Sequence, residues 1–118
     1  ERSIVGESLA GLFIVETFLT QPDMFTHYIA LDASTWWNAG ALVDSAPNFI
    51  RKFDSNPRTL FIANSDIKEM ADGVRKLNAT LKASPPKGLK WTYVERLDLT
   101  HATIFLGLQV EALVQALR

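Results

Sequence analysis

Ser8 stands between small residues in Gly6-Glu7-Ser8-Leu9-Ala10-Gly11, directly after Ser3-Ile4-Val5 and directly before a long apolar run. This reads as the end of a strand, a turn with a serine at its apex, and a helix. A serine lifted from a sheet on such a turn is a nucleophile elbow, where small flanking residues let strand and helix backbones approach closely. A serine hydroxyl is a weak nucleophile and needs a base within hydrogen-bond reach. The chain offers two histidines, His27 and His101. His101 follows the last strand, whereas His27 opens a strand at the opposite end of the sheet, so His101 is the candidate base and His27 is read as structural. A carboxylate would then hold the imidazole in the required tautomer. Asp66, just after a strand ending at Ala63, is the candidate acid, with Glu95 and Asp98 as rivals near His101.

Each of these residues also has a plainer reading. Ser8 and Asp66 are both good helix-capping types, and a single loop histidine is commonly just exposed. Trp36 and Trp37 are either packing residues or the apolar wall of a substrate pocket. With Glu7 and Ser34 they make up the candidate pocket. The backbone N–H of Leu9, at a helix start, is the candidate oxyanion-hole donor.

These residues need elements to position them. Leu9 to Leu19 is apolar nearly all round, as in a helix buried on most faces. His27-Tyr-Ile-Ala-Leu31 and Arg58-Thr-Leu-Phe-Ile-Ala63 read as buried strands of a parallel sheet. A helical stretch interrupted by Pro47 is expected between about 41 and 53. Ile67, Met70, Ala71, Val74, Leu77 and Leu81 mark an amphipathic helix, with Ser65 or Asp66 as its cap. Leu89 to Glu95 alternates as a strand, 97–103 is a loop, and a last helix runs from about Ile104 to Arg118. The alternation predicts an α/β fold, a mostly parallel sheet of three to four strands with helices on both faces. Ser8, the segment Asp32 to Trp37, Asp66 and His101 all follow strands, so they should converge on one sheet edge. The chain order Ser…Asp…His is that of the α/β-hydrolases.

Composition narrows the classes. The chain has 118 residues, a net charge of −1 and no cysteine. That leaves no basic footprint for nucleic acid, no disulfide or thiol nucleophile, and no Cys-ligated zinc. The two histidines lack metal-ligand spacing, so no metal or cofactor is expected. The longest apolar stretch is too short for a membrane span. Without cysteines, a reducing and an oxidising compartment fit equally well. No initiator methionine or leader pattern is present, so Glu1 is expected not to be the native start, and any targeting signal would lie upstream.

The sequence resembles the putative esterase family that includes esterase D and the enterobactin-esterase-like hydrolases. The resemblance lies in Gly6-Glu-Ser-Leu-Ala-Gly-Leu-Phe13, similar to that family's G-x-S-x-G-G-L-F, then Pro22-Asp-Met-Phe25 and Tyr28-Ile-Ala-Leu31. It continues through Ser34-Thr-Trp-Trp37, Gly40-Ala-Leu42, Leu60-Phe-Ile-Ala63 and His101-Ala102. Two departures from the pattern stand out: Ala10 replaces a glycine, and Asp32-Ala33 replaces Ser-Pro. The resemblance implies the C-terminal half of an α/β-hydrolase fold, residues 1–118 forming a single partial domain without the first strands and the second oxyanion-hole loop. It also implies hydrolysis of a small-molecule carboxylic ester through an acyl-enzyme, with Ser8 and His101 carried over at matching positions. A truncated sheet with a bare edge predicts self-association through residues 1–31 and little activity from the chain alone. The rival reading is a non-catalytic binding or interaction module on the same fold.

Overall fold

The computed structural model describes residues 1–116. Four parallel strands form one sheet in the order β1-β2-β3-β4: β1 (Ser3–Glu7), β2 (His27–Leu31), β3 (Arg58–Asn64) and β4 (Leu89–Glu95). Parallel neighbours need crossovers, and each crossover carries helix. These are α1 (Ser8–Thr20), then α2 (Ala41–Asp44) with α3 (Ala46–Ile50), then α4 (Lys68–Ala83). A final helix, α5 (Ile104–Ala116), follows β4. The predicted α/β class is what is observed.

Strand periodicity divides the core into two layers. Tyr28, Ala30, Leu60 and Ile62 face α1, α3 and α4, where Phe18, Val74, Leu77 and Leu81 fill the space. Their alternates Ile29, Leu31, Phe61 and Ala63 face α5 through Ile104, Leu108 and Ala112. All five residues of β2 are buried, which explains the apolar run Tyr28–Leu31. Phe18 sits edge-on to both Tyr28 and Phe53, with ring centroids 5.3 and 5.2 Å apart, anchoring α1 to the sheet.

Several expectations are refined. Pro47 lies in the first turn of α3, so the single stretch expected over 41–53 becomes two short helices behind a 3-10 turn at Trp37–Gly40. In α1, Leu9 and Phe13 remain exposed, so that helix is buried on one side only. On α5, Leu106 and Val110 are likewise open to solvent. Neither Ser65 nor Asp66 caps α4; its N-cap is Ile67, with no side-chain cap bond. β1 is an edge strand, and Val5 on it is 45% exposed, the feature on which the expectation of self-association rests.

Candidate active site

The carboxyl ends of the four strands bring the site together. Ser8 follows β1 at once, Asp32 follows β2, Ser65 follows β3, and His101 lies in the loop after β4. Backbone bonds tie these loops to each other: Asp32 N–H to Ala63 O, Ser34 N–H to Ser8 O, Arg96 N–H to Asn64 O and Asp66 N–H to Leu99 O. The last two bind the loop bearing His101 to the end of β3.

Ser8 has φ +59°, in the left-handed region that a residue with a Cβ rarely occupies. Such a conformation costs on the order of 1–3 kcal/mol and persists only where the surroundings impose it. The chain passes from extended Glu7 (φ −130°) through Ser8 straight into α1. The turn is possible because Gly6 has no Cβ. One placed there would lie 2.9 Å from Ala10 Cβ and 3.0 Å from Ile14 Cδ1. Ala10 therefore fits in place of glycine only because Gly6 is bare. Gly11 meets the next loop in the same way, at 3.1 Å from Ala33 Cα.

His101 Nε2 lies 3.1 Å from Ser8 Oγ, and its Nδ1 lies 2.6 Å from Asp32 Oδ2. An ionised carboxylate only accepts hydrogen bonds, so Nδ1 carries the proton and Nε2 is left to accept from the serine hydroxyl. Ser34 Oγ is a second neighbour of Ser8 Oγ, at 3.4 Å. The acid beside His101 is thus Asp32, in place of the Asp66 expected from sequence. Asp66 is exposed and turned to the surface, its backbone rather than its carboxylate tied to the histidine loop.

The two rival acids are engaged elsewhere. Glu95 binds Arg75 Nε at 2.6 Å and Tyr93 Oη at 2.9 Å. The Arg75 guanidinium, then the Tyr93 hydroxyl, hold its carboxyl below the usual range. Asp98 is gripped by Arg96 through two contacts of 2.8 and 2.7 Å, which hold its carboxyl down at about 2.

Asp32 is fully buried, with φ +48°. A buried carboxylate is costly unless hydrogen-bonded, and here both oxygens are used. Oδ1 accepts from Ser65 N–H at 2.9 Å, while Oδ2 accepts from Ser65 Oγ and from His101 Nδ1, both at 2.6 Å. One signal for Asp32 was present in the sequence: an ionisable residue directly after the apolar run Tyr28–Leu31, at a position where the resembling family has serine.

The remaining candidates fall into place less completely. Leu9 N–H belongs to the first turn of α1, where amides have no intrahelical acceptor. His27 sits at the far end of the sheet, with Nδ1 2.7 Å from Thr59 Oγ1. Glu7 has one carboxylate oxygen buried without a hydrogen-bond partner among the described residues. Trp36 and Trp37 pack edge-on with centroids 6.3 Å apart and are half exposed. They line two different grooves. Trp36 borders one of about 360 Å³ with Glu69, Asp72 and Lys76. Trp37 borders one of about 340 Å³ with Leu12, Glu16 and Phe49. Neither groove is lined by Ser8 or His101. The tryptophans are therefore not brought together as one wall beside the serine. Among the described residues no cluster of His, Cys, Asp and Glu could hold a metal, and no helix is long and apolar enough to cross a membrane.

A comparison with known proteins gives this geometry a context. The chain is 28% identical over 123 aligned positions to ferri-bacillibactin esterase BesA of Bacillus subtilis (strain 168), covering 98% of this chain and 43% of that protein. The chain is a homologue of an esterase. Its fold matches the BES protein from Bacillus cereus with a TM-score of 0.85, at 22% identity over 94% of this chain and 43% of that one. It matches an IroE-like serine hydrolase from Shewanella oneidensis equally well, with a TM-score of 0.85 at 22% identity, over 96% of this chain and 39% of the other. The chain spans less than half the length of each of these three proteins. No protein-family model matches it.

Proposed function

We propose that this chain carries the nucleophile, base and acid of a serine-dependent carboxylic ester hydrolase. The observation that carries the reading is the hydrogen-bonded series Ser8 Oγ, His101 Nε2, His101 Nδ1, Asp32 Oδ2, with contacts of 3.1 and 2.6 Å. Its supports are the left-handed Ser8 at a strand-to-helix elbow and the esterase relative.

The steps follow from what each group can do. Ser8 Oγ attacks the ester carbonyl carbon while His101 Nε2 takes the hydroxyl proton. The carbonyl π electrons move onto oxygen, and Leu9 N–H at the positive end of α1 stabilises that charge. When the C–O bond to the alcohol breaks, His101 returns the proton to the departing oxygen, leaving an acyl-Ser8. Water, deprotonated by His101, then attacks the acyl carbon. Collapse breaks the bond to Ser8 Oγ, which regains its proton from His101, and the acid leaves. Asp32 stays ionised throughout and stabilises the imidazolium formed in each half.

The same reading assigns the rest of the pocket and a second oxyanion donor to residues outside this chain, because neither groove beside the tryptophans is lined by Ser8. The 118-residue chain alone is accordingly a slow esterase. Ferri-bacillibactin, the compound in the relative's name, is the substrate to try first, alongside p-nitrophenyl acetate. Hydrolysis by a longer form of the protein that Ser8→Ala abolishes supports the reading. Turnover unaffected by Ser8→Ala overturns it, and rapid turnover by the 118-residue chain overturns the assignment of missing parts.

A further inference from the structure

Asp32 is held by a residue that the proposed reaction does not itself require. Ser65 supplies two of the three hydrogen bonds to that carboxylate, one from its backbone and one from its hydroxyl. Serine at this position would ordinarily cap the helix that follows. Here α4 starts at Lys68 without any side-chain cap, and Ser65 is fully buried with its hydroxyl 2.6 Å from Asp32 Oδ2. The oxygen it binds is the one that also accepts from His101 Nδ1.

We propose that Ser65 is a positioning residue for the Ser8–His101–Asp32 series, fixing the carboxylate plane so that Oδ2 points at the imidazole. This rests on the catalytic reading above. The two Ser65 bonds act as a two-point clamp. The N–H pins Oδ1, the hydroxyl pins Oδ2, and rotation about the carboxyl axis would break both. The clamp is itself braced from behind. Asn64 Nδ2 donates to Ser65 O at 3.0 Å, and Asn64 Oδ1 accepts from Tyr93 Oη at 2.5 Å. The same hydroxyl lies 2.9 Å from Glu95 Oε2, but its single hydrogen serves one acceptor at a time. The brace runs from the buried acid through Asn64 on β3 to Tyr93 on β4.

The need for such a device follows from the place of the acid. Asp32 stands where the resembling family has serine, one residue beyond β2, in a left-handed conformation. A carboxylate there has few fixed donors of its own strand to define its rotamer. Ser65 is the donor pair contributed by the next strand, and with it the contact to His101 becomes 2.6 Å.

The test uses Ser65→Ala and the near-isosteric Ser65→Cys, whose thiol is a weak donor, on the 118-residue chain. Two quantities are read beside thermal unfolding. One is the NMR resonance of the His101 Nδ1 proton in nitrogen-labelled protein, with Asp32→Asn marking its loss. The other is the rate at which a fluorophosphonate modifies Ser8. In folded variants, the resonance is expected to shift or broaden by exchange, and modification to slow about tenfold to a hundredfold, with probe affinity unchanged. An unchanged resonance with an unchanged rate in either folded variant overturns the proposal. If Ser8 proves unreactive even in a longer form of the protein, the catalytic reading fails. The resonance still decides whether Ser65 orders the Asp32–His101 contact: shifted, broadened or lost in the variants, it supports the clamp; unchanged, it refutes it.

Discussion

Replacing Asp32 by asparagine separates the acid found in the structure from the one expected at Asp66. The change keeps the shape of a fully buried side chain. One amide end still accepts from Ser65 N–H, which lies 2.9 Å from Oδ1. The –NH2 then occupies the place of Oδ2 and meets Ser65 Oγ, which accepts it, and His101 Nδ1, which does not while it carries a proton. The imidazole therefore moves its proton to Nε2, the nitrogen facing Ser8 Oγ at 3.1 Å. A protonated Nε2 cannot take the serine proton. The equivalent tautomer error in a serine protease costs on the order of 10⁴ in rate, about 5 kcal/mol on the barrier. Fluorophosphonate modification of Ser8, followed by intact-mass measurement over time, gives the rate directly. Asp32→Asn should fall by roughly that factor, while Asp66→Asn should remain at the unaltered rate. Equal losses from the two variants, or less than about a tenfold loss from Asp32→Asn in folded protein, would refute the tautomer argument.

The packing around the site gives further expectations. Gly73→Ala should raise the helix propensity of α4 by about 1 kcal/mol, yet destabilise the protein, because the new Cβ falls 2.0 Å from Thr35 Oγ1. Urea unfolding should show a net loss of about 1–3 kcal/mol, and a net gain would mean that the loop bearing Trp36 yields freely. Gly6→Val should slow Ser8 modification by driving α1 from β1 through the 2.9 Å approach to Ala10 Cβ, and unchanged kinetics would show that the close approach is unnecessary. Asp98, held at about 2 by Arg96, protonates in the unfolded chain before it does in the folded one. Its stabilisation is thus present above pH about 4 and is lost as pH falls through about 2. Asp98→Asn should flatten acid unfolding in that window. Tyr93, pushed up to about 12 by burial and by its bond to Glu95, loses its contribution only as pH rises from about 10 through about 12. A phenolate titration compared with that of Tyr93→Phe should place its ionisation there.

Much of the fold was legible because buried parallel strands write unbroken apolar runs. Tyr28–Leu31 and Leu60–Ala63 could be little else, and their alternation assigns each residue to a layer. Ser8 and His101 were legible because the glycine-flanked turn and the position after the last strand are chain-local features. Asp32 was not, because its role depends on which strand lies next to β1. The strand order places the end of β2 beside Ser8, whereas Asp66 follows β3, one strand farther away. A sequence shows that an acid follows a strand, but not which acid the turn faces inward. Ser65 was read as a cap for the same reason: its partner lies 33 residues back, across the sheet. Whether Trp36 and Trp37 are packing residues or a pocket wall was not legible, because the two rings border separate grooves whose other residues come from distant elements.

The central claim is that Ser8 is a nucleophile activated by His101. The most direct measurement is peptide mapping after fluorophosphonate treatment, run on the unaltered chain and on His101→Ala. The account predicts a single adduct on Ser8 that is lost or greatly slowed in His101→Ala. An adduct on another serine, or equal modification of the two proteins, would contradict it.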